Sequence, residues 1–264
     1  MKNVLSGTLY GLLRYAPAFV GIVFLDLRSS GATHGYHTLD VTIRLLTLFA
    51  SWDIMTGLFF LWLWRRNNNQ PNANGYGIAT GLVALIALFI LQACRAQMDQ
   101  AQFMIVLLAL GFRGMVKGSM ENNRTLFGML CSLAAHSSLG WLSFSLFYRG
   151  IPPWQTIPLS LAIGSLVAAT ELSRYSEQIN RAPGRGIAPV YRVLVTLGPV
   201  MIVSCSLLGL LEIFYAYLLP LCPLGFIQAR KSTEEQPIPP QAPYLSVIFA
   251  TLTIIGLLVI KSYL

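Results

Sequence analysis

The sequence predicts an all-α membrane protein of nine transmembrane helices, and three observations predict it. The first is composition. Of the 264 residues, 55% are hydrophobic and only 11% are charged, a balance outside the range of ordinary soluble domains. The second is the succession of long apolar runs, at 8–26, 41–64, 76–94, 101–119, 126–148, 156–173, 187–204, 208–228 and 244–262. A hydrocarbon core about 30 Å thick takes roughly 17–25 apolar residues per helix, so nine spans nearly exhaust the chain. The third is where the cations fall. Lys2, Arg14, Arg65, Arg66, Arg113, Lys117, Arg124, Arg174, Arg181, Arg185, Arg192, Arg230 and Lys231 share one predicted side; Arg28, Arg44, Arg95, Arg149 and Lys261 share the other, thirteen against five of the 18 Lys and Arg. Because Lys and Arg near span ends are retained in the cytoplasm, the split predicts a cytoplasmic N-terminus and an external C-terminus.

The elements follow in order. The first run is preceded by Lys2 and lacks a small-residue cleavage site, so it is expected to be a span rather than a signal peptide. An outside loop, Arg28–Asp40, carries His34 and His37; amid Ser, Gly and Thr these are expected to be solvent-exposed loop residues rather than metal ligands. The second span holds Asp53 and closes on Arg65 and Arg66. Three polar segments then fall on the cytoplasmic side: Arg65–Gly77, Phe112–Arg124 and Glu171–Arg192. Between Val193 and Gln228 the apolar run is too long for one upright helix, so a turn is expected at Gly209 or Ser204–Ser206. Residues 229–243, rich in Pro, Gln and Glu, read as a flexible linker before the last helix. The whole, 1–264, is a single transmembrane domain.

Composition also excludes. Nine spans leave no length for a soluble domain, so the net charge of +8 speaks for loops facing anionic lipid headgroups, with an anionic ligand a further reading, and not for nucleic acid. Cys94, Cys131, Cys205 and Cys222 show no CxxC or zinc spacing and read as small packing residues. No P-loop, dinucleotide fingerprint, Ser–His–Asp arrangement or HExxH is present.

Asp53, in Ser51-Trp52-Asp53-Ile54, is the sharpest single residue. An ionisable group in hydrocarbon costs about 2.5–3.5 kcal/mol on insertion scales, so it faces a cavity or a partner. One reading is catalytic, an acid that protonates or polarises a substrate group; the other is a helix–helix hydrogen bond, with Arg44 or a neighbouring helix. Glu212 invites the same pair of readings. The aromatics Trp52, Phe59, Phe60, Trp62 and Trp64 could line a tunnel for an apolar substrate, although Trp62 and Trp64 beside Arg65 fit the ordinary interfacial belt.

The three polar segments, in this order on one face of nine spans, resemble the UbiA superfamily of intramembrane prenyltransferases. The frames are Gln70-Pro71-Asn72-Ala73-Asn74-Gly75, then Gly111–Lys117 followed by Arg124, Gly128 and Gly140, then Asn180-Arg181-Ala182-Pro183-Gly184-Arg185. In the last, Asn180 stands where the family has Asp. The resemblance implies a bundle with a lateral cavity open to the cytoplasmic side. It also implies two Asp-rich stretches holding magnesium against a prenyl diphosphate. Here the first stretch is gone: no carboxylate lies between Ile54 and Arg95. Glu171 and Glu177 fall one or two residues out of register with the second. Magnesium asks for near-octahedral oxygen coordination, so half of the implied clamp is missing. The candidates for holding a diphosphate are then Lys117, Arg124, Arg181 and Arg185, with Asn180, Glu171 and Glu177 beside them and Arg65 and Arg66 across the mouth. The plain alternative is that these cations only set topology.

Three functions stand beside one another. The first is an isoprenoid-processing enzyme, by prenyl transfer or terpenoid cyclisation, with a degenerate magnesium–diphosphate site. The second is a non-catalytic UbiA-like subunit that supports a membrane-protein partner. The third is a small transporter.

Overall fold

The structure is a computed structural model, and it describes Tyr15, residues 35–121, 125–148 and 156–178, 187–208, and Trp154, Ile227 and Arg230. Among the described residues the fold is all-helical. Six helices follow in order: α1 (Gly35–Asn67), α2 (Ala73–Arg95), α3 (Gln100–Glu121), α4 (Thr125–Tyr148), α5 (Thr156–Gln178) and α6 (Ile187–Leu207). They coincide with the second to seventh runs of the hydropathy pattern. Apart from Tyr15, Leu208, Ile227 and Arg230, the first, eighth and ninth runs and the 229–243 linker, with Glu212, lie outside the described residues.

Two of these helices contain segments long and apolar enough to cross a bilayer, Ile43–Asn67 and Ala73–Arg95. α3, α4 and α5 contain shorter apolar stretches, Gln100–Val116, Leu126–Leu142 and Ser160–Leu172.

Helices adjacent in sequence run antiparallel, as their short connections require. Near one end of the α1–α2 hairpin Trp62 meets Gly77 and the Arg65 guanidinium lies over the Tyr76 ring at 4.6 Å; near the other, Gln97 Nε2 donates to Asp40 Oδ2 at 2.9 Å. The turn between them uses Asn69 (φ 49°) and Asn72 (φ 69°), a left-handed conformation that Asn tolerates better than most residues. α1 and α3 run parallel: Trp52 faces Gly114 and Phe60 faces Gly118. The C-terminal ends of α1, α3 and α5 therefore gather at one end of the bundle.

Small residues let the helices close. A Cβ on Gly164 of α5 would lie 2.1 Å from Ser137 Oγ and 2.7 Å from the Ser137 backbone nitrogen of α4. A Cβ on Gly198 of α6 would lie 3.0 Å from the Ala162 carbonyl of α5. Such close backbone approach is how helices pack in lipid, where burial of apolar side chains supplies no drive. Two buried hydroxyls of α5 bond to their own helix: Ser165 donates to the Ala162 carbonyl and Thr170 to the Leu166 carbonyl. Pro158 and Pro189 sit in the first turns of α5 and α6, where a missing N–H breaks no intrahelical bond.

Helix ends differ from the sequence expectation in one consistent way. Phe112–Glu121, Glu171–Gln178 and Arg65–Asn67, expected in loops, are helical. His37 is helical too, because α1 begins at Gly35. The ionisable residues within the later parts of α3 and α5, Arg113 and Glu171, find partners inside the bundle.

Candidate functional site

Those partners form one buried cluster. Asp53 extends from α1, Arg113 from α3 and Glu171 from α5. Arg113 is 8% exposed and Glu171 9%. The guanidinium bridges the two acids. Its Nε donates to Asp53 Oδ1 at 2.9 Å, and its Nη1 donates to Glu171 Oε1. The Tyr15 phenol donates to Asp53 Oδ2, and Ser132 Oγ donates to Glu171 Oε2. Both oxygens of each carboxylate thus accept a hydrogen bond. His136, 3% exposed, brings Nε2 to 3.5 Å from Glu171 Oε1. Ser132 and His136 are four apart and so share one face of α4. The Gly164–Ser137 approach is what sets that face close enough to α5 for a serine side chain to reach Glu171.

Asp53 therefore makes the interhelical contact that its burial demanded, with Arg113 as partner. Arg44, the alternative from the sequence, pairs instead with Asp40 one turn back, Nη2 to Oδ2 at 2.6 Å. Carboxylates that accept from a guanidinium and a hydroxyl are held as acceptors. Among the described residues no group of three or more His, Cys, Asp or Glu could hold a metal ion. Magnesium, which the resemblance implies, does not fit this donor set.

A groove of about 360 Å³ lies against another part of α3. Gly111, Gly114 and Gly118 lie along it, Phe60 of α1 and Phe127 of α4 form its sides, and Ser119 lies at one end. Gly118 touches Phe60, since a Cβ there would meet the ring at 2.9 Å. At Gly111 a Cβ would meet nothing within 4 Å, so there is open space there. Beside it, the Trp52 indole Nε1 would stand 3.6 Å from a Cβ on Gly114, and this N–H has no hydrogen-bond partner among the described residues.

Of the residues singled out in the sequence, Asp53 and Glu171 meet in the cluster through Arg113. Lys117 is on α3 one turn beyond Arg113, and Glu177 is in the last turn of α5; their side chains lie outside the described residues, as do Arg124, Asn180, Arg181 and Arg185 entirely. At the end of α1, Arg66 lies over the Trp62 ring at 5.4 Å and Trp64 is exposed. Cys94 and Cys131 are buried free thiols. Sequence reasoning missed Arg113 as a site residue, along with Ser132, His136 and Tyr15. The available signal was arithmetic: Arg113 lies inside the run 101–119, not in the gap after it.

Comparison of the chain with protein-family models, with curated proteins and with solved structures returned no match.

Proposed function

We propose that this chain is a multi-pass integral membrane protein of UbiA-like architecture, with nine spans and a cytoplasmic N-terminus, that binds and processes an isoprenoid lipid without magnesium. The observation that carries the reading is the position of the groove. It is lined by Gly111, Gly114, Gly118 and Phe127, the segment that bears the family-like frame of Gly111–Lys117 and Gly128. Glycines and phenylalanine rings offer an apolar, flat-sided trough that suits a branched polyene, and the ring faces attract a developing carbocation. The Trp52 N–H supplies one donor at its edge. Lys117 and Glu177 lie near the C-terminal ends of α3 and α5, Arg124, Asn180, Arg181 and Arg185 follow those helices in sequence, and these are the residues proposed to hold a diphosphate headgroup. Phosphate can be held by such cations alone. The inner carboxylates, Asp53 and Glu171, are engaged with Arg113 and lie behind this site as its scaffold.

The experiment is calorimetric titration of a non-hydrolysable prenyl diphosphate analogue into nanodisc-embedded protein, with magnesium and with chelator. Binding should be equal in both. Gly111→Leu fills the groove where a side chain meets no backbone, so it should abolish binding while leaving the melting temperature in place. Diphosphate release from a hydrolysable prenyl diphosphate then reads processing. Absence of binding in both conditions overturns the reading and leaves a supporting subunit.

A further inference from the structure

Two adjacent guanidinium groups, Arg65 and Arg66, close α1. No carboxylate lies between Ile54 and Arg95, and among the described residues neither arginine makes an ion pair. Arginine in the last turn of a helix ordinarily meets the final carbonyls, but here the turn's own N–H groups take them. The Trp64 carbonyl accepts from Asn68 at 3.1 Å, that of Arg65 from Gln70 at 2.9 Å and that of Arg66 from Asn69 at 3.2 Å. Arg65 reaches only the Pro71 carbonyl, Nη1 to oxygen at 3.4 Å, and its buried Nε has no hydrogen-bond partner among the described residues. Aromatic faces hold both groups instead: Arg65 lies over Tyr76 at 4.6 Å and Arg66 over Trp62 at 5.4 Å. Trp62 is itself fixed, its ring 5.7 Å from that of Phe59 and its Nε1 3.0 Å from where a Cβ on Gly77 would stand. Because Gly77 follows Tyr76, the two cations rest on one seam between α1 and α2.

We propose that Arg65 and Arg66 form a binding site for the phosphate of an anionic glycerophospholipid, whose acyl chains lie against the outer face of α1. A guanidinium stacked by its face keeps its in-plane N–H edge free to donate in pairs, and a phosphate diester offers two unesterified oxygens to that edge. What lies below the cations makes the occupant a lipid and not a free anion. Ile54, Leu61 and Arg65 fall at i, i+7 and i+11, one face of the helix, and both apolar residues on it are exposed, Ile54 at 56% and Leu61 at 36%. The cation pair therefore caps an apolar face, as a headgroup sits above its chains. Trp64 beside it is 56% exposed, an amphipathic ring of the kind that lies at headgroup level. Basic sites between helices at the cytoplasmic surface are where anionic headgroups are held. Neither arginine lines the groove on α3. The inference rests on the membrane reading of the proposed function and not on isoprenoid processing.

The test follows the first lipid molecule bound to the full chain in dodecyl maltoside by native mass spectrometry, with phosphatidylglycerol and phosphatidylcholine of the same acyl chains as probes. The chain should prefer phosphatidylglycerol, and excess inorganic phosphate should not displace it. Arg65→Ala/Arg66→Ala should weaken phosphatidylglycerol binding by about tenfold and leave phosphatidylcholine binding unchanged, a selectivity that loss of fold does not produce. Arg65→Lys/Arg66→Lys keeps both charges without the planar edges and should lose most of the preference. Arg95→Ala, which removes a cation over Phe103 beyond the other end of α2, should keep it. A lysine pair that binds like the unchanged chain, or an equal loss in Arg95→Ala, overturns the site and leaves only diffuse attraction to an anionic surface. Displacement by inorganic phosphate overturns the lipid as occupant. Carbonate extraction of membranes separates the two readings: release by carbonate sinks the membrane reading and this site with it, whereas retention with no phosphatidylglycerol preference sinks this site alone.

Discussion

At the scale of single residues, Arg113 decides how the bundle interior is held. Its guanidinium is the only group described that touches both Asp53 and Glu171. Removing one partner from a buried ionic group leaves a desolvated charge behind, at a cost of about 3–5 kcal/mol. Arg113→Met should therefore lower the melting temperature steeply, as measured by fluorescence-detected size exclusion after heating in detergent. Asp53→Asn should cost less, since Arg113 keeps Glu171 and the amide still accepts from the guanidinium. The triple variant Asp53→Leu/Arg113→Met/Glu171→Met should recover most of the loss, because apolar replacement of a whole buried ionic group is often neutral or better. A triple variant as unstable as Arg113→Met would mean that packing, not charge, fails. Asp53 was legible in the sequence because it interrupts an apolar run far from any gap. Arg113 was not, because a cation near a span end is the ordinary topology signal. Only its partners reveal the difference, and they lie 60 and 58 residues away.

At the scale of elements, the glycines divide by what a side chain would meet. Gly164 has no room: the Cβ position is 2.1 Å from Ser137 Oγ and 3.0 Å from the Leu133 carbonyl. Gly164→Ala should force α4 and α5 apart and destabilise by about 1–3 kcal/mol, and it should loosen the reach of Ser132 to Glu171. Gly81 of α2 has open space, so Gly81→Ala should be neutral or stabilising by about 0.5–1 kcal/mol, the helix penalty of glycine. Thermal melts of the two variants side by side check both. The helices themselves were largely legible: apolar runs placed α1 to α6 to within a few residues, except where α1 begins six residues early and α3 and α5 extend further. The runs 101–119 and 156–173 already contain Arg113 and Glu171, and the helices continue past them to Glu121 and Gln178 with both side chains satisfied within the bundle. The candidate site was half legible. Spacing marks Asp53 and Glu171 as unusual but carries no information on which helix faces meet, and α4 contributes Ser132 and His136, two residues with no motif around them.

At the scale of the whole molecule, polarity is arranged inside out. Arg113, Glu171, His136, Ser132 and Thr170 are buried, while Phe89 is 79% exposed and Ile78, Leu82, Leu85 and Ile86 beside it on α2 are more than half exposed. Apart from Ala87 and Cys94, α2 buries no residue fully. In water such an apolar stripe would be an aggregation surface; in hydrocarbon it is the face lipid solvates, and the polar residues belong inside. The 23 residues of α2 rise about 34 Å at 1.5 Å each, against a core of about 30 Å, so α2 is long enough to reach from one interface to the other. The proposed topology puts the turn after Arg65 and Arg66 in the cytoplasm and the Arg95 end outside. On a background with the four cysteines replaced by alanine, Gln70→Cys and Ala96→Cys place one exposed thiol at each end of α2. A membrane-impermeant maleimide applied to intact cells should label Ala96→Cys and spare Gln70→Cys until the membrane is opened. The reverse pattern would turn the bundle over and put the groove end, with Lys117 beside it, outside the cell. Labelling of both thiols in intact cells would mean that α2 does not cross the membrane, and the cluster at Arg113 would then have to be argued again as the core of a soluble bundle.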